Sequence, residues 1–348
     1  MYNTWWPGQG VEVVNEDDFK VSVAMCTFNG AAFVEAQLES ILAQSRSPDE
    51  IIVCDDRSTD GTVDLAAKIA QKYPAKIRII RNERRLGYCR NFESAVSLAT
   101  GDVIFLSDQD DFWFPDKVAS MLRVFAEDPE VVVAYSDAVL TDGELRPTGT
   151  MFNRRKDIDL RKTPALRQLS RGVAFNGPMM AFHSRLRPFV IPFSPLSLQW
   201  GHDHWIGFIA YAVGKIGVIN RPLVYYRRHG TNSGGDAELD GGLLYQWRVV
   251  KKKYTGSEEY GERRRGWEDM VTRLHEIRNS GLPLSNPAKL DELLQVSELC
   301  LQFAKARQMH KTRGRFARTP SALRLLFAGD YHRYARGFKT FVQDLVIP

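Results

Sequence analysis

The sequence predicts an α/β fold, a mainly parallel sheet flanked by helices, with a helical segment after it. Three observations carry this. Short apolar runs alternate with stretches of helical periodicity from Lys20 to Tyr135. Two of those runs, Ile51–Cys54 and Val103–Ser107, end abruptly in carboxylates. Beyond Gly242 the periodicity is helical only. Strands alternating with helices of this length imply right-handed crossovers between parallel strands. Carboxylates at strand carboxyl ends lie where open α/β sheets bind ligands.

The elements follow in order. Residues 20–27 read as a first strand, and Thr27-Phe28-Asn29-Gly30 as a turn. Phe33, Leu38, Ile41 and Leu42 share a helical face that Ser47-Pro48 stops. Ile51–Cys54 is a second strand ending in Asp55-Asp56. The polar turn Arg57–Thr62 feeds a helix over 62–72, with Asp60 suited to cap it. A third strand covers Ile77–Ile80, a third helix 88–99, and Val103–Ser107 the strand before Asp108-Gln109-Asp110-Asp111. After Pro115 a helix runs to about Ala126, then a strand over Val131–Tyr135. Residues 141–165 read as a loop, and 175–182 as a return to the core. Trp200-Gly201-His202-Asp203-His204-Trp205 opens an apolar helix, followed by a strand pair at 216–219 and 223–228. The expected organisation is an N-terminal extension (1–19), an α/β domain (20–240) and a basic helical segment (241–348).

Composition narrows the class. Of 348 residues, 44% are hydrophobic and 26% charged, as in ordinary globular proteins. Cys26, Cys54, Cys89 and Cys300 show no metal or redox spacing, which fits a reducing cytoplasm. The start lacks a signal-peptide pattern, and no apolar run is long enough to cross a bilayer. The net charge of +5 is uneven: residues 241–348 hold 20 basic and 11 acidic residues, the first 240 hold 27 and 31. A basic segment on a near-neutral domain suggests an acidic partner.

Three clustered carboxylates repel one another and are costly at a partly desolvated site unless a cation neutralises them. Oxygen ligands suit Mg²⁺ or Mn²⁺, which usually arrive with substrate phosphates. The plain alternative is a solvated acidic loop.

Val21-Ser22-Val23 through Thr27-Phe28-Asn29, Asp55-Asp56-Arg57-Ser58-Thr59-Asp60-Gly61-Thr62, and Ser107-Asp108-Gln109-Asp110-Asp111 resemble the family 2 glycosyltransferases. The aromatic-Trp after that cluster, the later His-Asp-His-Trp and the Tyr-Arg-Arg-His-Gly-x-Asn run are similar to its rhamnosyltransferase branch. The resemblance covers roughly residues 20–235. It implies the GT-A nucleotide-sugar-binding fold and inversion at the sugar carbon. It also implies a donor such as dTDP-L-rhamnose, and a glycan or lipid-linked acceptor.

By that resemblance, Asp56 accepts the N–H of a pyrimidine base, with Asp55 as neighbour or turn cap. Thr27 and Asn29 contact base or ribose, Asn29 being equally suited to forming the turn. Arg90 meets phosphate or a carboxylate, or is a surface arginine. Asp110 binds the divalent ion, and Asp108 reaches the ribose or the ion through water. Asp111 binds donor sugar or caps the next helix. Trp113 walls the sugar pocket or packs in the core. Asp203 is the catalytic base, with Trp200 and Trp205 expected to stack on sugar and raise its pKa by desolvation. His202 stands in the acceptor pocket where the commoner family pattern has Glu. His229 meets diphosphate or metal, helped by Arg227 or Arg228. His202, His204 and His229 as a zinc triad would want a closed shell.

The tail interleaves basic residues with Trp247, Tyr254, Trp267, Phe316, Tyr331, Tyr334, Phe338 and Phe341. It suits docking to an anionic membrane on the cytoplasmic side, or packing on the catalytic domain or a second subunit. No recognised module supports nucleic-acid binding. The rivals are a UDP-sugar donor on the same fold and a nucleotide-sugar-binding scaffold without turnover. A nucleotidyltransferase would need a glycine-rich, lysine-containing loop that Thr27–Gly30 lacks.

Overall fold

The computed structural model describes residues 15–155, 175–194, 201–229, 257–281, 284–311, 315–334 and 338–346. Trp200, Trp247, Tyr254, most of the N-terminal extension and the glycine-rich run 230–235 lie outside the described residues.

Strands β1 (Val21–Thr27), β2 (Glu50–Asp55), β3 (Ile77–Arg81) and β4 (Val103–Ser107) alternate with helices α1 (Val34–Leu42), α2 (Thr62–Lys72) and α3 (Tyr88–Leu98). β1 and β4 are buried along their whole length, as expected of apolar runs covered on both faces. They pair in parallel in the order β3-β2-β1-β4. Register sets Thr27 beside Asp55 and Met25 beside Ser107, so the carboxyl ends of β1, β2 and β4 finish at one edge. That edge carries the site.

The chain then adds β5 (Phe112–Trp113), α4 (Lys117–Glu127), β6 (Val131–Thr141), β7 (Pro147–Met151), β8 (Met180–His183), α5 (His202–Val213) and β9 (Lys215–Arg227). β8 is inserted antiparallel between β4 and β6, and β9 lies parallel to β6 and antiparallel to β5. The expected strand pair at 216–219 and 223–228 is one continuous strand. Asn220-Arg221-Pro222 reads as a turn, but Pro222 falls beside Asp137 at a register shift, where a missing N–H is tolerated.

Helices α6 (Ser257–Asn279) and α7 (Pro287–Lys311) bury Trp267, Met270, Leu274, Leu290 and Leu293 in the same apolar cluster as the sheet. Trp267 meets Phe208 of α5 edge-on at 6.0 Å. The Arg273 guanidinium donates to the carbonyls of Pro188, Phe189 and Ile191. Helices α8 (Arg315–Phe327), α9 (Asp330–Tyr334) and α10 (Phe338–Val346) gather round a smaller cluster of Phe303, Ala322, Tyr331 and Phe341. Arg307 and Asp344 pair there in the interior, two bonds at 2.7 and 2.6 Å. Among the described residues, no helix is long and apolar enough to cross a membrane.

Candidate active site

The floor of the site is the turn after β1 and the carboxylates after β2. Asp55 is fully buried; it accepts from Thr27 Oγ1 at 2.9 Å, Ser58 N at 2.9 Å and the Ser58 hydroxyl. Thr27 and Asp55 therefore serve each other across the strand pair. Asp56 is 3% exposed. Its Oδ1 accepts from Asn82 Nδ2 (3.0 Å) and Leu86 N (2.7 Å), its Oδ2 from Gly87 N (2.8 Å). The carboxylate thus ties down the 82–87 loop, while Oδ2, with one donor, keeps acceptor capacity. Asn29 adopts φ +48, a left-handed conformation asparagine tolerates, and its Oδ1 accepts from Thr59 N at 2.9 Å. The Arg85 guanidinium lies 3.7 Å over the Phe28 ring. Arg90 donates to Phe193 O at 3.0 Å and pairs with Glu93, so it fastens the 193 segment to α3.

Beyond β4 the acidic loop is held by its glutamine. Gln109 accepts from Phe28 N at 2.8 Å and donates to Phe28 O at 3.0 Å. Around it, Asp108, Asp110 and Asp111 bring ligand oxygens within 4.8 Å of one another. Burial pushes the Asp108 carboxyl well up, and the charges of Asp110 and Asp203 add to it. Burial does the same to Asp111, joined by Asp110 and Asp108 and opposed by the Arg227 N–H and the Lys117 charge. Asp111 Oδ1 accepts from Arg227 N at 3.1 Å, whereas its buried Oδ2 has no hydrogen-bond partner among the described residues. Asp111 is therefore not the expected helix cap; the residue preceding α4 is Asp116.

This donor set fits a divalent cation. Converging carboxylates, a buried oxygen without a donor and upward-shifted carboxyls are the features of a site built to receive positive charge. At the rim, His229 Nε2 lies 2.8 Å from Asp110 Oδ2, and its ring stacks on Phe33 at 4.6 Å. Arg227 Nε donates to Asp110 O at 2.7 Å and its Nη1 to Gly143 O at 2.6 Å.

Asp203 sits in the first turn of α5, where the helix dipole favours an anion. Its Oδ2 accepts from Gly177 N at 3.2 Å, its Oδ1 from His204 N at 2.8 Å, with His204 Nδ1 at 3.1 Å. Burial alone pushes this carboxyl up, but His204, through charge and hydrogen bonds, and His202 together leave it below its ordinary value. The expectation of a raised pKa is thereby corrected. His202 is buried, stacked on Phe92 at 3.8 Å, and burial lowers it to about 4, so the ring is neutral. Neither of its ring nitrogens has a partner among the described residues.

The two expected aromatic walls that can be described are both buried. Trp205 is 2% exposed and donates Nε1 to Val190 O at 2.8 Å. Trp113 is 1% exposed, packed at 5.7 Å against Phe105. Both are core residues, because the strand and helix that carry them bury that face. Two contributors go beyond the residues the sequence pointed to: Gln109, and Lys117, which is fully buried behind the acidic loop. Lys117 carries a signal. It falls in line with Met121 and Phe125 on the apolar stripe of α4, where a charge is out of place.

Residues 22–185 match the family described as Glycosyl transferase family 2. The uncharacterized glycosyltransferase alr2836 of Nostoc sp. is 27% identical over 62% of this chain and 66% of its own length. The dTDP-rhamnosyl transferase RfbG of Shigella flexneri is 35% identical over 28% of this chain and 35% of its own. The chain thus spans about a third to two thirds of these relatives. S. aureus TarS 1-349, solved in complex with UDP-GlcNAc, superposes with a TM-score of 0.54 at 18% identity, covering 94% of this chain and 81% of that one. The sheet order and this superposition make the fold GT-A-like, and residues 22–185 are the stretch that is similar to Glycosyl transferase family 2.

Proposed function

We propose that the protein is an inverting, divalent-metal-dependent glycosyltransferase acting on a nucleoside diphosphate sugar. The observation that carries this reading is the opposition of two carboxylate groups with different settings. Asp108, Asp110 and Asp111 converge as a cation-seeking cluster. Asp203, close enough for its charge to push Asp108 up, is itself held below its ordinary value by His204 and His202 and accepts the Gly177 N–H.

The division of labour follows from the chemistry. Asp203 takes the proton from the acceptor hydroxyl as its oxygen attacks the anomeric carbon. The bond to the diphosphate breaks on the opposite face, and its electron pair leaves on the phosphate oxygen. Asp110 and Asp108, with His229 at the rim, would hold Mg²⁺ or Mn²⁺, which when bound would offset charge on the departing diphosphate. Asp56 Oδ2 retains the acceptor capacity that a pyrimidine N–H requires. We assign the donor as dTDP-L-rhamnose, supported by the partial likeness to RfbG. A UDP-sugar is the second reading, favoured by the likeness to TarS solved with UDP-GlcNAc.

The acceptor in this reading is a surface glycan or lipid-linked glycan on the cytoplasmic side, with the basic C-terminal helices against anionic lipid. Phe327 and Phe338, both exposed, and the +9 balance of residues 241–348 support that placement. Calorimetric titration with dTDP, UDP and their sugars, with and without Mn²⁺, tests the assignment. Metal-dependent dTDP binding that Asp110→Ala abolishes is expected. Preference for UDP would overturn the rhamnose donor, and no binding under any condition would overturn the transferase.

A further inference from the structure

Lys117 opens α4 with its side chain wholly inside the protein. Its Nζ donates to Pro178 O at 2.7 Å and lies 4.8 Å over the Trp113 ring and 5.9 Å over the Phe105 ring. Its charge also reaches Asp111. A buried lysine held by one carbonyl and two ring faces is a poor way to stabilise a core, since a matched apolar side chain would avoid the desolvation. What the Lys117 Nζ does hold is the turn Gly177-Pro178-Met179. The first residue of that turn donates its N–H to Asp203 Oδ2 at 3.2 Å. Its third residue accepts a hydrogen bond from the Tyr135 hydroxyl through sulfur at 3.5 Å. A Cβ on Gly177 would stand 3.0 Å from His202 Nε2, so the turn lies directly against the start of α5.

We propose that Lys117 is a positioning residue that ties the turn presenting Gly177 N–H to Asp203 to the start of α4, a few residues after the acidic loop, so that the two halves of the site keep one spacing. This rests on the assignment of Asp203 as the base. Lys117 touches neither substrate nor metal; it acts through the Pro178 carbonyl and the Gly177 amide. Were its purpose only to neutralise Asp111, its loss would weaken cation and donor binding. As a tether of the turn, its loss leaves donor binding intact and misplaces the base.

The test compares Lys117→Met with wild type in the full chain. The expected result is a fall in kcat of about 10–100-fold, the scale of a misplaced catalytic group. Calorimetric affinity for the nucleotide with Mn²⁺ should stay within about twofold, and Gly177 amide exchange should become faster. Lys117→Gln, which keeps an N–H donor of shorter reach, should fall less, and it serves as the test if the methionine variant does not fold. A parallel loss of nucleotide affinity would overturn the proposal in favour of charge compensation; unchanged kcat and unchanged Gly177 exchange would overturn it outright. Failure of the base assignment looks different: Asp203→Asn would then turn over like wild type while Gly177 exchange still responded to Lys117→Met.

Discussion

His229 Nε2 meets Asp110 Oδ2 at 2.8 Å, joining the chain just after β9 to the middle acid of the β4–β5 loop. The contact spans 119 residues of sequence and puts an imidazole at the mouth of the cluster. If the pair shares a cation, His229→Ala should weaken Mn²⁺ binding about 10–100-fold, the range for losing a group that orients a metal ligand. The Mn²⁺-induced rise in Tm should shrink with it, as mass action requires. Equal Mn²⁺ affinity in variant and wild type would remove His229 from the metal site.

Asp203→Asn should reduce transfer about 10²–10⁴-fold while nucleotide affinity stays within a factor of about two. The pH behaviour has a definite sign. The Asp203 carboxyl is held below its ordinary value, so its contribution to stability is present above the unfolded pKa of about 3.9 and is lost as pH falls through the folded value. The variant should therefore be less stable than wild type at about pH 7, with the gap closing below about pH 4. Thermal scans across that range check it, and a gap that widens on acidification would contradict the assignment.

Trp205 offers a contrast with Asp203, the proposed base, two positions before it. Buried and bonded to Val190 O, it should cost about 3–5 kcal/mol when truncated to alanine. Trp205→Phe, which keeps an aromatic ring and loses the N–H, should cost about 1 kcal/mol and leave the donor KM unchanged. Denaturant titrations measure the first effect, steady-state kinetics the second.

The lipid reading predicts sedimentation with vesicles containing phosphatidylglycerol but not with neutral ones. Binding should weaken steeply above about 0.5 M salt, as expected of exposed charges. Phe327→Ser with Phe338→Ser should reduce it further without altering nucleotide affinity, since both side chains are exposed and lie outside the main core.

Much of the fold is legible in the sequence because its signals are local. The runs Val21–Thr27, Glu50–Asp55 and Val103–Ser107 are largely apolar, and the residues that terminate them line the candidate site. Helix α5 is harder. Nine of its twelve residues are buried, so periodicity does not tell which way Trp205 or His202 points. The net shift of Asp203 is illegible for a related reason. Neighbouring aromatics in sequence suggest desolvation, but the offset comes from His204 and His202, and how their rings are set against the carboxylate depends on packing the sequence does not show. Lys117 hides for the opposite reason: a lysine soon after a proline reads as the solvated start of a helix.

The glutamine between the acids has a consequence for how this sequence can change. Its amide gives and receives at once, taking the Phe28 N–H and returning a hydrogen to the Phe28 carbonyl. A glutamate of the same shape has no hydrogen to return, so a distant stretch of main chain dictates the letter between Asp108 and Asp110. The same amide occupies the space that a side chain at residue 30 would need. Gly30 and Gln109 are therefore spelled together. In any descendant of this sequence that alters one, the compensating change belongs at the other.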